Sequence, residues 1–465
     1  MDEEHRNMEK LFTEFGGVTS AQWKEQIIKD LKGVDVNQLI WKTHNGFEIN
    51  PFYTAEDIKE IKEPLFVSSN WDICEQIIVV DEKAANEQAI KALDGGASGL
   101  AFYIHKKIDT AALIKNISLE HIYSQFFITN DALHVLSDLK NYYGKINPHD
   151  NKIKCFVNID PLSLLSFYGE WHESEEKDLE VLNKLVHIPV NVSLYEEAGA
   201  GTVNELAMGL SHTNEYLNYL EKQKALKDKK AIHFIFSVAP DFFTEIAKFR
   251  AFRKLVALLQ EQYGISLPVH IHAQTAMINK SGLDIYNNML RTTTEGMSAV
   301  IGGADSLCVL PYNNGFEKES GFGSRIAINQ QHILKNESYL NKVADISAGS
   351  YYIESLADAI AEKAWEQFKV IEKKGGFIAC LKNNFIQNSI SEDASCLQKE
   401  FNEGKLVLVG VNKYQNPADL VDGWELVVPS MDDKKKLISP IKPIRLASGV
   451  ERSKASTNPE LSTPN

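Results

Sequence analysis

Short runs of apolar, β-branched and aromatic residues recur along this chain, and longer stretches with apolar residues three or four positions apart separate them. The first pattern is typical of buried β-strands, and the second is typical of helices that cover a sheet. The runs predict eight strands, at residues 76–80, 99–104, 125–129, 155–160, 189–195, 232–238, 269–274 and 306–310. This alternation favours an α/β fold, a (β/α)8 TIM barrel, with a doubly wound open sheet as the alternative.

Segments outside the repeat divide the chain further. Thr19 and Gln22 have the spacing of a helix capping box, and Gly33 is placed to end that helix. Such an apolar arm either packs on its own domain or wraps a partner chain. We expect four units: an extended and helical arm at 1–54, the barrel at 55–375, a post-barrel extension with a strand at 406–414 within 376–420, and a linker-like, partly disordered tail at 421–465.

Composition narrows the classes of function. The chain has 465 residues, 44% of them hydrophobic, and a formal net charge of −14, which disfavours binding to nucleic acid or to anionic membranes. No apolar stretch is long enough to span a bilayer, and the acidic N-terminus does not resemble a signal or transit peptide. The five cysteines show no metal-binding spacing. We therefore expect a cytoplasmic protein.

One predicted strand carries polar side chains at alternate positions. His270, His272 and Gln274 share one face of it, and in a barrel that face would point into the lumen. Two histidines could begin a zinc site, but no matching third ligand is evident, so packing or hydrogen bonding in the lumen is the favoured interpretation.

Other chemical groups fall where predicted strands end. Glu196 and Glu197 follow strand five, and Asp160 ends strand four as either an acid or a helix cap. The glycines at 302–303 and 321–323 match no phosphate-binding fingerprint, and turns explain them better. No GxSxG motif indicates a nucleophile.

Several segments carry a distinctive sequence, among them HIHAQT and GFGSRIAINQQHIL. They are residues 41–54, 94–104, 194–210, 242–255, 270–275, 286–307, 321–334 and 345–356. Together these segments resemble the methylmalonyl-CoA mutase family, and more closely its small, or beta, subunits.

The resemblance implies a barrel that CoA threads, followed in catalytic members by a flavodoxin-like domain that binds adenosylcobalamin through a DxHxxG motif. This sequence contains no DxHxxG, and only about 50 residues follow Tyr414. We therefore expect no cobalamin-binding domain, no metal or cofactor on this chain alone, and adenosylcobalamin on a partner subunit.

The sequence also departs from catalytic members inside the barrel. Ser193 and Leu194 stand where those members have Tyr-His, whose histidine contacts the substrate carbonyl, and His270 replaces an arginine. An early Arg-Gln-Tyr aligns with residues 69–71. The resemblance thus implies no catalytic residues here, only substrate-pocket remnants, namely Trp71, Ser193, Leu194, Tyr195, His272, Gln274 and Asn314.

These departures predict a non-catalytic small subunit that scaffolds or stabilises the large (alpha) subunit in a heterodimer. The complex would interconvert (R)-methylmalonyl-CoA and succinyl-CoA. Two alternatives stay open: the substrate half of a split mutase whose cobalamin lies on a separate chain, and a B12-independent barrel isomerase or lyase that uses Asp160, His272 or Glu197.

Overall fold

A computed structural model describes residues 16–43, 47–57, 70–129, 133–146, 154–316, 321–419 and 436–456. Its strands are β1 (Trp41–Lys42), β2 (Glu48–Ile49), β3 (Asp72–Ile78), β4 (Gly99–Ile104), β5 (Tyr123–Ile128), β6 (Cys155–Asn158), β7 (Ile188–Asn191), β8 (Ile232–Val238), β9 (Val269–Thr275) and β10 (Ser306–Cys308). Strands β3 to β10 form one parallel sheet in the order β6-β5-β4-β3-β10-β9-β8-β7. The predicted (β/α)8 barrel is therefore confirmed.

Helices alternate with these strands and surround the sheet. In chain order they are α1 (Ser20–Asp30), α2 (Glu82–Asp94), α3 (Thr110–Leu113), α4 (His134–Ile146), α5 (Pro161–Tyr168), α6 (Glu175–Lys184), α7 (Ser193–Glu197), α8 (Thr202–Lys222), α9 (Phe242–Gln262), α10 (Asn287–Ile301), α11 (Gly321–His332), α12 (Tyr351–Lys373), α13 (Phe377–Lys382), α14 (Phe385–Asn402) and α15 (Ser448–Ser456). None of the described helices combines the length and the apolar character needed to cross a bilayer.

Most of the predicted strands are shifted or shortened by a few residues, and two differ more from the structure. The strand predicted at 189–195 ends at Asn191, because the side-chain oxygen of Asn191 accepts hydrogen bonds from the amide (3.2 Å) and the hydroxyl (2.6 Å) of Ser193 and turns the chain into α7. The strand predicted at 406–414 is wrong, since this segment forms turns with one isolated bridge between Val409 and Lys413. Its Leu408 and Val411 belong instead to a small apolar cluster with Phe401 of α14 and with residues of the loop after β9.

Alternation along each barrel strand separates two environments. On β9 the outward side chains of Ile271 and Ala273 are fully buried against the helices, while His272 lies in the lumen. On β8, Phe234 and Phe236 pack on Phe252 of α9. The helices thus cover an apolar shell, and the polar positions face the axis.

The lumen is packed closely. At Gly99, the first residue of β4, an added Cβ would lie 2.6 Å from Sγ of Cys74 and 2.9 Å from Cδ1 of Tyr123. Both distances are shorter than real carbon contacts, so only glycine fits beside these two side chains.

The arm has one docked part and one exposed part. Thr19 and Gln22 form the predicted capping box at the start of α1, yet α1 has no buried residue. Further along, Phe47 and Ile49 belong to the main core, and Lys363 of α12 lies 4.9 Å from the Phe47 ring. The arm is therefore fixed near β2, while α1 buries none of its residues and contacts the rest of the chain through Trp23, whose ring lies against Phe52.

Residues 436–456 pack on the barrel. Ile438 and Ile441 belong to the main core, and the amide of Leu446 donates to the carbonyl of Ile278 at 3.0 Å. The linker-like, partly disordered character expected for 421–465 stays a prediction. The proposed division at residues 54, 375 and 420 stays a prediction.

One carboxylate joins the two ends of the sheet. No backbone ladder links the described residues of β6 and β7, but the Asp160 carboxylate, just after β6, accepts the amide of Asn191 in β7 at 2.7 Å. The same group accepts from the amide of Ser163 (2.9 Å), from Nε2 of His212 (3.0 Å) and from the hydroxyl of Tyr216. Burial works to raise the pKa of Asp160, but the His212 charge and these hydrogen bonds outweigh it and hold that pKa below its ordinary value.

Replacing Asp160 with alanine should cost far more stability than removing an ordinary helix cap. Asp160→Ala leaves several buried donors unpaired, and we expect a loss of about 3 kcal/mol or more in urea unfolding. Asp81→Ala is the matched control, because Asp81 caps α2 through the Ala84 amide, and its loss should cost about 1 kcal/mol. Equal losses would show that Asp160 is only a cap.

Candidate functional site

A chain of hydrogen bonds fills the middle of the lumen. The Tyr123 hydroxyl lies 2.9 Å from Nε2 of His233, and Nδ1 of His233 lies 2.9 Å from Oδ1 of Asn158. The chain continues from Asn158 Nδ2 to Gln125 Oε1 at 3.3 Å, from Gln125 Nε2 to His272 Nε2 at 2.9 Å, and from His272 Nδ1 to the Ser306 hydroxyl at 2.8 Å. This lumen network joins β5, β6, β8, β9 and β10.

The network specifies the protonation of both histidines. Because the Asn158 oxygen can only accept and the Gln125 nitrogen can only donate, His233 and His272 each carry their proton on Nδ1 and accept at Nε2. Burial lowers the pKa of His272 to about 3 and that of His233 well below its ordinary value, and neighbouring histidines lower both further. Both rings are therefore neutral in the folded protein.

Rings close the lumen beneath this network. Phe156 stacks on His233 at 4.2 Å between ring centroids and lies 4.7 Å from His270. His187 lies against Phe156 at 5.0 Å, and burial lowers the pKa of His187 to about 3. Among the described residues, no three His, Cys, Asp or Glu side chains are placed to hold a metal ion. His272 takes part in the lumen hydrogen bonds, and His270 has ring contacts.

Three of the seven predicted pocket residues lie along the lumen or at its mouth. His272 belongs to the lumen network. Gln274, two residues further along β9, accepts a hydrogen bond from the Tyr103 hydroxyl at 3.1 Å. Asn314 follows β10 and places its amide nitrogen 3.6 Å from Sδ of Met277. These three share the carboxyl-end half of the barrel.

The other four lie elsewhere. Trp71 precedes β3 at the amino end of the barrel, beside Lys335, and so it is separated from the rest. Ser193 and Leu194 begin α7, where Leu194 is buried in the main core. Tyr195 points towards α8 and lies 2.9 Å from Nδ1 of His212.

Sequence reasoning missed most of the lumen network. Tyr123, Gln125, Asn158 and His233 each lie on a strand predicted or nearly predicted, and a polar residue at an inward position is the signal that could have found them. Their partners are up to 147 residues apart in the chain, and only the register brings them together.

A cleft of about 990 Å³ opens on the carboxyl-end rim, beside the lumen. Its floor comes from the loops after β7 and β8, and its walls come from α10, α14, β1 and residues 405–409. The walls are largely apolar, with Leu290, Leu397, Leu406 and Leu408 among them. We call it the rim cleft. Its size is that of a site for a small organic molecule.

Three buried carboxylates share one ammonium at the floor of the rim cleft. Nζ of Lys248 lies 3.1 Å from Glu196, 3.2 Å from Glu205 and 2.7 Å from Glu245, and all four side chains are at most 8% exposed. Burial, the largest influence, raises the pKa of Glu205 to about 8 and raises those of Glu196 and Glu245. The carboxylates hold the pKa of Lys248 well above its ordinary value despite burial. This acid cluster therefore carries more acid than its one cation can balance.

Two further acids, the half-buried Glu197 and the buried Glu295, border the cluster. Glu197 accepts from the Ser237 hydroxyl at 2.8 Å and from the Met277 amide at 2.9 Å, and burial raises the pKa of Glu197 to about 7. Glu295 pairs with Lys280 at 2.8 Å, and Asn279 also contacts both. Each group is thus engaged in holding loops of the rim.

Comparison with known proteins agrees with this architecture. The family model of methylmalonyl-CoA mutase matches residues 83–445, which is most of the chain. The chain belongs to the methylmalonyl-CoA mutase family. Two of its relatives are named small subunits, which agrees with the resemblance of its segments.

The methylmalonyl-CoA mutase small subunit of Porphyromonas gingivalis is 34% identical over 97% of this chain and 78% of its own length. That of Streptomyces virginiae is 28% identical over 87% of this chain and 71% of its own length. The methylmalonyl-CoA mutase of Cereibacter sphaeroides is 26% identical over 86% of this chain and 65% of its own length. The chain thus matches only part of each relative's length.

The balance of charge in the acid cluster leads to opposite expectations for two variants. Lys248→Met leaves three buried carboxylates without a cation and should cost about 3 to 5 kcal/mol of unfolding free energy. Glu245→Gln removes excess negative charge and should leave stability unchanged or raise it. Urea unfolding of both variants at pH 7 measures this, and a large loss from Glu245→Gln would contradict the excess of acid.

Glu197 should make the protein less stable as the pH rises. Between its ordinary pKa of 4.5 and its folded pKa of about 7, the folded state keeps a proton that the unfolded state has lost, so stability declines across that interval. In Glu197→Gln the decline in unfolding free energy from pH 5 to pH 8 should be smaller by roughly 1 kcal/mol or more. Chemical unfolding at both pH values gives the comparison, and parallel declines would mean that Glu197 is ionised in the fold.

Proposed function

We propose that the chain is a non-catalytic small subunit of an adenosylcobalamin-dependent methylmalonyl-CoA mutase, and that it supports a large subunit that performs the isomerisation. The filled lumen carries this proposal. Family membership and the small-subunit names of two relatives support a role as a subunit. The chemistry itself is then expected on the partner.

A lumen that receives CoA must leave a passage for the pantetheine arm. Here Tyr123, His233 and His272 are at most 1% exposed and are bonded across the axis, and the Phe156 and His270 rings lie beneath them. Side chains normally fill the interior of an eight-stranded barrel, and this chain follows that rule. The packing supports a scaffold in preference to the substrate half of a split mutase.

The groups that would act on a thioester are also committed elsewhere. Leu194 cannot donate a hydrogen bond and is buried in the core. Asp160 closes the seam between β6 and β7, and Glu197 holds the Met277 amide and the Ser237 hydroxyl. Because these side chains already make structural hydrogen bonds, the structure also favours a scaffold over a B12-independent isomerase or lyase that would use Asp160, His272 or Glu197 as catalytic groups.

The residues do not fit adenosylcobalamin. The sequence has no DxHxxG motif, and His272 uses both ring nitrogens in hydrogen bonds to Gln125 and Ser306, which leaves no lone pair for cobalt. Among the described residues the one sheet besides the barrel is the two-stranded β1–β2 sheet, and no flavodoxin-like domain is evident there. The cofactor's chemistry is therefore expected on the partner subunit.

The exposed arm supports association with a partner. Helix α1 buries none of its residues on this chain, and Ile28 is 55% exposed, as is typical of apolar surface that another protein covers. A cytoplasmic heterodimer with the large subunit is the assembly we expect.

Purified chain mixed with adenosylcobalamin and methylmalonyl-CoA should give no succinyl-CoA, because neither cobalt nor acyl-CoA finds a site on it. The large subunit encoded in the same genome, purified and assayed alone and with this chain, is the control. We expect turnover only when the large subunit is present, and a more heat-stable activity when both are. Turnover by this chain alone would disprove the scaffold role.

A further inference from the structure

The rim cleft gathers apolar side chains that are exposed in the part of the chain that the structure describes. Trp41, Leu290, Val407 and Val409 all line it, and Leu290 is 69% exposed. Single exposed apolar residues are ordinary, but several on one concave surface mark a place where another segment or molecule packs. The walls of the cleft are therefore suited to an apolar occupant.

Residues 1–15 lie outside the described residues, and their sequence carries an apolar stripe. Met8, Leu11, Phe12 and Phe15 have the i, i+3, i+4, i+7 spacing of one face of a helix, and the charged residues between them fall on other faces. Amphipathic helices bind apolar grooves through anchors with this spacing. The sequence of residues 1–15 thus matches the kind of surface that the cleft presents.

The arm that carries this segment already forms part of the cleft. Residues 1–15 lead through Gly16 and Gly17 into α1, and the arm then supplies Trp41 and Lys42 of β1 to the cleft wall. Two consecutive glycines allow the chain to reverse its direction before α1 begins. The segment is therefore tethered to the surface that it would cover.

Ring contacts keep the start of the arm near the cleft. Trp23 of α1 lies against Phe52, with 3.4 Å between ring centroids. Tyr53 lies 5.7 Å from Tyr352, which in turn lies 5.3 Å from Phe243, and Phe243 directly follows a residue that lines the cleft. Fifteen residues span about 22 Å as a helix and about 50 Å when extended, which is enough to reach the cleft of the same chain.

We propose that residues 1–15 dock in the rim cleft of their own chain as an amphipathic helix. The apolar face of the segment packs against the exposed apolar residues of β1, α10 and 405–409, and the segment covers Cys396 on α14. The tether favours the chain's own segment over that of a second copy, because joined segments meet at a high effective concentration. This contact is independent of the proposed role as a mutase subunit.

Alkylation of Cys396 by iodoacetamide, followed by mass spectrometry of its peptide, measures whether the cleft is covered. A chain that begins at Gly16 should react about tenfold faster at this thiol than the full chain, because docking shields it. The protection in the full chain should not change on dilution. Equal rates in the two chains would overturn the proposal, and protection that disappears on dilution would also overturn it, by assigning the contact to a second copy.

Two matched variants within the segment test the apolar face. Phe12→Asp places a charge on this face and should speed the alkylation of Cys396 as much as removal of residues 1–15 does. Thr13→Asp makes the same addition on the opposite face and should leave the rate unchanged. Equal rates in the two variants would refute docking through this face.

A second matched pair tests the location in the cleft. Leu290 of α10 and Leu258 of α9 are both exposed, and only Leu290 lines the cleft. In Leu290→Asp the shortened and full chains should react at nearly the same rate, whereas Leu258→Asp should keep the difference between them. Thermal unfolding of each variant checks that it is folded. A full difference that persists in Leu290→Asp would place the segment elsewhere and disprove the assignment.

Discussion

The barrel depends on a neutral, fully paired set of polar side chains across its axis. Tyr123, Gln125, Asn158, His233 and His272 sit where ordinary barrels carry aliphatic residues, and each finds a partner on another strand. Because the hydrogen bonds hold both histidines in one tautomer, no charge enters the lumen. An unpaired polar group there would cost more than an aliphatic one, so the five residues can be exchanged only together. The arrangement ties strands from both halves of the sheet into one unit.

The sequence was a good guide to the elements and a poor guide to what lies between them. Strands β4 and β8 begin and end where the apolar runs predict, since their outward residues are continuous and bulky. The strand expected at 189–195 stops early because one side chain, Asn191, turns the backbone, and an apolar run does not encode that choice. The run at 406–414 has strand composition but packs beside α14, where tertiary contacts override local preference.

The candidate site shows the same division. The period-two pattern placed His272 in the lumen, but its pairing with Gln125 depends on the register of strands far apart in sequence. The sequence did not predict the rim cleft, because the residues that line it are far apart in the chain. Its walls come from β1, α10 and α14, and its floor comes from loops after two different strands. The sequence shows Glu196 and Glu197 as adjacent acids. Only the fold shows that Lys248, on the buried face of α9, forms an ion pair with Glu196 and not with Glu197.

The closure of the sheet by Asp160 has a mechanical consequence. Seven strand junctions are backbone ladders that share load among several bonds, whereas the β6–β7 junction has a side chain in place of a ladder. On heating or under mechanical force, β6 and β7 should therefore separate before the other neighbouring strands do. The rupture would bare two strand edges, and bare edges recruit other chains into aggregates. A molecule that clamped this line would protect the protein from irreversible loss without touching its chemistry.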